Sequence, residues 1–192
     1  MAIPNTLPII EFLSAESFEI WLEKNHKSSI GIWIKIFKKE SGKRTILYPE
    51  ALDVALCYGW IDSQKQSIDE QAWLQKFSPR TAKSIWSKIN IGHVERLFQE
   101  GKMKPEGLEA VEKAKADGRW EKAYDSPSKI SVPEDFLKEL SKNKKAKEFY
   151  KGLKKSNLYS IAFRLQTAKK AETREKRIKE IITKLANGEK LH

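Results

Sequence analysis

Cysteine is nearly absent: Cys57 is the only one in 192 residues, so no internal disulfide can form. A reducing cytoplasm is the expected compartment. No run of about 18 apolar residues occurs, which argues against a transmembrane helix. The opening stretch, residues 1–18, has no basic segment and no continuous apolar core, so it does not read as a signal peptide. Histidine is scarce. His26, His93 and His192 are far apart, and no zinc or calcium ligand spacing is present. Neither glycine-rich phosphate-loop pattern occurs, and no Gly-x-Ser-x-Gly elbow is found. No metal and no cofactor is therefore expected. Cys57 falls on an amphipathic stretch among apolar neighbours, where an inert buried thiol is expected rather than a nucleophile.

What is present is unevenly placed. Residues 1–137 hold 20 Lys+Arg and 20 Asp+Glu, whereas residues 138–192 hold 17 against 6. The tail thus carries the whole net charge of +11. All six tryptophans precede it. A basic segment suits an acidic partner such as nucleic acid, or a solvated helical surface that keeps the protein soluble.

Pro4 and Pro8 predict an extended arm over residues 1–13. Ser14 or Ser17 caps a helix reaching Asn25, with Phe18, Trp21 and Leu22 as its stripe. Residues 30–37 alternate with both faces largely apolar, which predicts a central strand covered on both sides. Residues 44–47 read as its short partner. A helix opens at Pro49 and closes at Gly59. Runs over about 60–68 and 71–77 predict a hairpin in which Trp60, Asp62, Gln64 and Gln66 share one face. Helical patterning begins at Ser84. One stripe, Val94, Leu97 and Phe98, ends before Gly101. The next, Leu108, Val111 and Ala114, runs from Pro105 to Gly118. A linker over 123–133 precedes helices near 133–141, 144–154, 157–168 and 172–187. The fold class is α+β: a small antiparallel sheet with packed helices over 1–125, then a basic helical bundle over 130–192.

Polar side chains on a strand between tryptophans suit a ligand site. Trp60 and Trp86 would supply aromatic walls and Asp62 and Gln64 polar selectivity, with Lys65 a further candidate ligand contact. Arg80, Ser84, Lys88 and Asn90 border a predicted helix start, where an anion is favoured. In the tail, Lys169, Lys170, Arg174 and Arg177 could meet phosphates on one helical face, or dock the tail internally.

These motifs carry a resemblance. ALCYGWIDSQK at 55–65 resembles the ALCFGWIDGQ-type signature of the bacterial YdeI/OmpD-associated family, with Ser63 where many relatives have glycine. KFSPR at 76–80, SIWSKIN at 84–90, GKM at 101–103, Gly107-Leu108 and AKADGRW at 114–120 are similar to its following blocks. AKKAETREKRI at 168–178 resembles the family's bacteriocin-protection domain. The resemblance implies a cytoplasmic bacterial α+β protein with a role in stress or bacteriocin tolerance, and it assigns no catalytic residue. The expected function is a non-enzymatic binding protein for a small or anionic ligand. Two alternatives stay open: a nucleic-acid binder using the basic helices, and an enzyme with a pocket around Asp62.

Overall fold

Ser14 caps the first helix through a reciprocal pair. Its hydroxyl accepts from the Ser17 N–H at 3.3 Å, and its own N–H donates to the Ser17 hydroxyl at 3.2 Å. The structure, a computed structural model, describes residues 7–126, 129–168 and 170–191. The chain divides into two units. One runs to Trp86 and again over Asn90–Lys122; the other comprises Ser87–Ile89 and the residues from Ala123 onward.

The first unit contains β1 (Ile9–Glu11), α1 (Ala15–Asn25), β2 (Ile32–Phe37), α2 (Tyr48–Cys57), β3 (Trp60–Ser67) and β4 (Ala72–Pro79). It also contains most of α3 (Lys88–Gln99), and α4 (Pro105–Ala116). The sheet order is β1-β2-β4-β3. β4 pairs antiparallel with both β2 and β3. β1 lies parallel on β2, within the stretch read from sequence as an extended arm, so the sheet is mixed rather than purely antiparallel. Residues 44–47 form no strand. β4 takes that place beside β2, and Ile46 is instead buried with its N–H donating to the Phe12 carbonyl at 2.9 Å.

Only one face of β2 is fully covered. Ile32, Ile34 and Ile36 are buried, whereas Trp33, Lys35 and Phe37 are half-buried on the other side. The buried face continues through Gln75 and Phe77 of β4 and Trp60 of β3. Phe18 and Leu22 of α1, and Ala51, Leu52, Ala55 and Leu56 of α2, are also buried in this unit. The Phe18 and Phe77 ring centroids are 5.8 Å apart. Each such large side chain contributes about 1.5–3 kcal/mol on burial.

The hairpin forms without a glycine because Asp69 builds the turn. Its Oδ1 accepts from the Gln71 and Ala72 N–H groups, both at 2.7 Å. A bulge then changes the expected face of β3. Asp62 opposes Phe77 and Lys65 opposes Gln75, so Ser63 and Gln64 together face one residue. Lys65 therefore joins Trp60 and Asp62, and Gln66, opposite Leu74, turns to the other side. The buried Gln75 amide donates to the displaced Gln64 carbonyl at 3.2 Å.

The second unit contains α5 (Glu134–Ser141), α6 (Lys144–Lys151), α7 (Lys155–Gln166) and α8 (Ala171–Ala186). Phe136, Leu140, Ala146, Ile161, Leu165, Ile178, Ile181 and Leu185 form its core. The four helices lie where the periodicity puts them. In the first unit Phe98 departs from its predicted stripe and is 59% exposed.

Helix α4 approaches the end of α2 without an intervening side chain. A Cβ at Gly107 would lie 2.2 Å from the Cys57 carbonyl oxygen. The variant Gly107→Ala must push two backbones apart, at a cost of about 1–3 kcal/mol. Thermal unfolding followed by circular dichroism should show a midpoint lowered by several degrees. An unchanged midpoint would mean that this contact does not constrain the fold.

Candidate functional site

The turn from α2 into β3 sets the site. Gly59 has φ +71°, a left-handed conformation that favours glycine. A Cβ there would meet the Glu106 carbonyl oxygen at 2.8 Å, so the turn packs directly on α4. The Gly59 carbonyl accepts from the Arg80 N–H at 2.9 Å, which ties the start of β3 to the end of β4.

Around this turn lies a cavity of about 640 Å³. Its wall is His26 and Lys27 after α1, Tyr58–Trp60, Pro79–Ala82, one face of α4 between Glu106 and Asp117, and Arg119. His26 Nδ1 lies 2.7 Å from the Leu22 carbonyl, which can only accept, so that nitrogen carries hydrogen. Its Nε2 lies 3.1 Å from Glu106 Oε1, in ion-pair range but without hydrogen-bond geometry. Lys27 Nζ lies 3.2 Å from the same oxygen. The Glu106 carboxyl is held below the usual range, first by its own backbone N–H and then by Lys27.

Tyr58 stands in the wall of this cavity and of a second one, of about 420 Å³. Its residue is 5% exposed, and its hydroxyl finds no hydrogen-bond partner among the described residues. Burial pushes the phenol up to about 12, so it is a neutral donor at physiological pH. The His26 ring packs against it at 5.5 Å, and Lys104 Nζ lies 5.7 Å from its ring centroid.

The second cavity is bordered by Glu19, Glu50, Asp53, Cys57, Lys102 and Lys104, among others. Asp53 is engaged by His93 Nδ1 at 2.8 Å and by Arg96 Nη2. Burial, and then Asp53, push the Cys57 thiol up to about 11, which keeps it protonated and unreactive. Among the described residues, no three His, Cys, Asp or Glu side chains are placed to hold a metal ion.

Of the side chains singled out from sequence, Trp60 and Arg80 meet at the first cavity. Arg80 lies flat on Trp86, with its guanidinium carbon 3.4 Å from the ring centroid, and Nη1 donates to the Ile85 carbonyl at 3.2 Å. Trp86 is buried and edges onto Trp120 at 4.9 Å. The Ser84 hydroxyl accepts from the Thr81 N–H, and its carbonyl accepts from Arg119 Nη1. Asp62 borders neither cavity and accepts from the Tyr48 hydroxyl at 2.9 Å. Gln64 is exposed, and Lys65 Nζ sits 4.1 Å from the Trp73 ring centroid. Asn90 is half-buried at the start of α3. Lys88 belongs to the second unit, where it pairs with Asp125 at 2.7 Å.

In the tail, Lys169 lies outside the described residues. Lys170 is exposed at the N-cap of α8. Arg174 grips Asp135 with two hydrogen bonds, at 2.7 and 2.8 Å, and donates a third to the Leu165 carbonyl. Arg177 donates to the Arg164 carbonyl. Both arginines thus tie the start of α8 to α7 and α5.

Sequence reasoning missed His26, Tyr58, Glu106 and Arg119. Tyr58 and Arg119 sit inside quoted motifs. His26 and Glu106 are 80 positions apart in the sequence and carry no local signal.

A cavity-bearing α+β unit and a basic four-helix unit define the class of protein. A family model described as a domain of unknown function (DUF8412) matches residues 10–110, just over half of the chain, and the chain belongs to that family. A second model, described as bacteriocin-protection, YdeI or OmpD-associated, matches residues 129–188 and supports the family resemblance read from the sequence. No curated protein and no solved structure matches. Among the described residues, no helix is long and apolar enough to cross a membrane.

The Arg174 hydrogen bonds hold the Asp135 carboxyl below the usual range, with the Phe136 N–H adding to the effect. A depressed carboxyl adds stability that is present above its unfolded pKa of about 4 and lost as pH falls through the folded value. Wild type should therefore lose more thermal stability than Asp135→Asn between about pH 5 and pH 2. Equal losses would show that the pair does not contribute.

Proposed function

We propose that the first unit is the ligand-binding part of a non-enzymatic binding protein that acts in stress or bacteriocin tolerance in the cytoplasm. The tolerance role rests on the family description, and the binding role on one observation. Tyr58, a buried residue whose hydroxyl has no partner among the described residues, borders a cavity large enough for a small molecule. Leaving such a donor unmet costs about 1–3 kcal/mol. A ligand that brings an acceptor removes that cost. The ligand is a small polar molecule with a carboxylate or phosphate acceptor for Tyr58. Lys27 and Lys113 stand at the cavity, and their pairs with Glu106 and Glu109 expose the lysines enough to exchange partners.

The test uses acetate, succinate, citrate and inorganic phosphate, followed by tryptophan fluorescence and thermal shift. At least one should stabilise the wild type and change its fluorescence, since Trp60 lies in the wall. The variant Tyr58→Phe should be more stable than the wild type when unliganded, by about 1–3 kcal/mol, and bind about tenfold more weakly. No response to any probe would sink the reading. So would a variant that binds like the wild type.

A further inference from the structure

The two units share the charge very unequally. The second unit holds 19 Lys+Arg against 9 Asp+Glu, and the first holds 18 against 17. Within the second unit the excess concentrates at 142–155, which contains seven lysines and one acid, Glu148. Lys142 and Lys151 pair with Glu139 and Glu148, both at 2.7 Å. Lys144, Lys145, Lys147, Lys154 and Lys155 are exposed and make no ion pair among the described residues.

Helix geometry collects part of this set. Ala146, Phe149 and Tyr150 pack into the core of the unit. Lys144, Lys147 and Lys151 recur at i, i+3 and i+7, on the side away from them. They span about 10 Å along the axis, roughly three phosphate steps of one duplex strand. The turn Gly152–Lys154 then brings in Lys154 and Lys155 at the start of α7. Neither α6 nor α7 has an acid in its first turn, so these cations stand where the helix dipole disfavours them. A merely solvated surface does not require that placement.

α8 shows the contrast. There Lys176, Lys179 and Lys184 are interleaved with Glu172, Glu175 and Glu180 along one surface. The arginines suspected from sequence are also engaged, Arg174 with Asp135 and Arg177 with Arg164. On α6 and the first turn of α7 no large apolar side chain is exposed, although a membrane-surface helix needs such residues.

We propose that the lysine face of α6 and the start of α7 binds the phosphate backbone of a nucleic-acid duplex, without reading its sequence. The experiment is fluorescence anisotropy of short labelled DNA and RNA duplexes, titrated with the full chain at several salt concentrations. Two triple variants remove equal charge: Lys144→Gln/Lys147→Gln/Lys155→Gln and, on α8, Lys176→Gln/Lys179→Gln/Lys184→Gln. The first should weaken binding at least about tenfold and lower the salt slope by about three, and the second less than about twofold. Circular dichroism checks that both remain folded. Failure of the wild type to bind either duplex overturns the proposal. Equal weakening by the two variants overturns it too, because net charge alone would then explain binding. So does binding confined to phosphatidylserine-containing vesicles. The cavity probes play no part in this readout, so the two proposals fail independently.

Discussion

The first unit depends on a backbone contact that side chains would forbid. α4 lies against the carbonyl end of α2 because residue 107 is glycine, and the turn into β3 lies against α4 because residue 59 is glycine. The Lys104 N–H donates to the Cys57 carbonyl at 3.1 Å across the same approach. These contacts bring the face of α4 beside Tyr58 and Trp60, and so create the cavity. The scaffold thereby brings groups drawn from distant parts of the chain around one cavity.

Arginine and lysine play separate parts. Arg80, Arg119, Arg174 and Arg177 reach backbone carbonyls, aromatic faces or carboxylates, and each fixes a loop or helix start. The planar, multiply donating guanidinium suits that work. Lysines cover the outside of the basic unit. Its hydrated ammonium on a flexible stem gains little from exposed pairing, so unpaired lysines contribute mainly to the long-range field. A count of basic residues overstates the free charge, and the structure separates the structural cations from the available ones.

Much of the architecture was legible in the sequence because it is local. Helix stripes, the Ser14 cap and the breaks at Pro105 and Gly118 operate within a few residues. The lapses have non-local causes. β1 pairs parallel with a strand more than 20 residues on, and three residues carry little periodicity. The bulge after Asp62 depends on β4 register and on Gln75 capping a displaced carbonyl, so a strict two-residue alternation failed there. In the candidate site, Trp60 and Arg80 were visible as a tryptophan and a cation in unusual motifs. His26 and Glu106 were not, since a contact between distant segments leaves no mark on local spacing.

Tyr58 poses the sharpest physical question. Phenylalanine would keep the packing against His26 and remove the penalty of a buried hydroxyl, yet this chain carries tyrosine. Two carboxylates nearby are matched, Glu106 by Lys27 and its own N–H and Asp53 by His93 and Arg96, whereas Nε2 of the His26 ring packed against Tyr58 also lacks a hydrogen-bond partner among the described residues. A buried hydroxyl that the described residues leave unmatched calls for a partner from outside the chain, and the cavity beside Tyr58 is where such a molecule would enter. The stability forgone at such a position is what the proposed binding role would require, since an acceptor brought by a ligand would offset it.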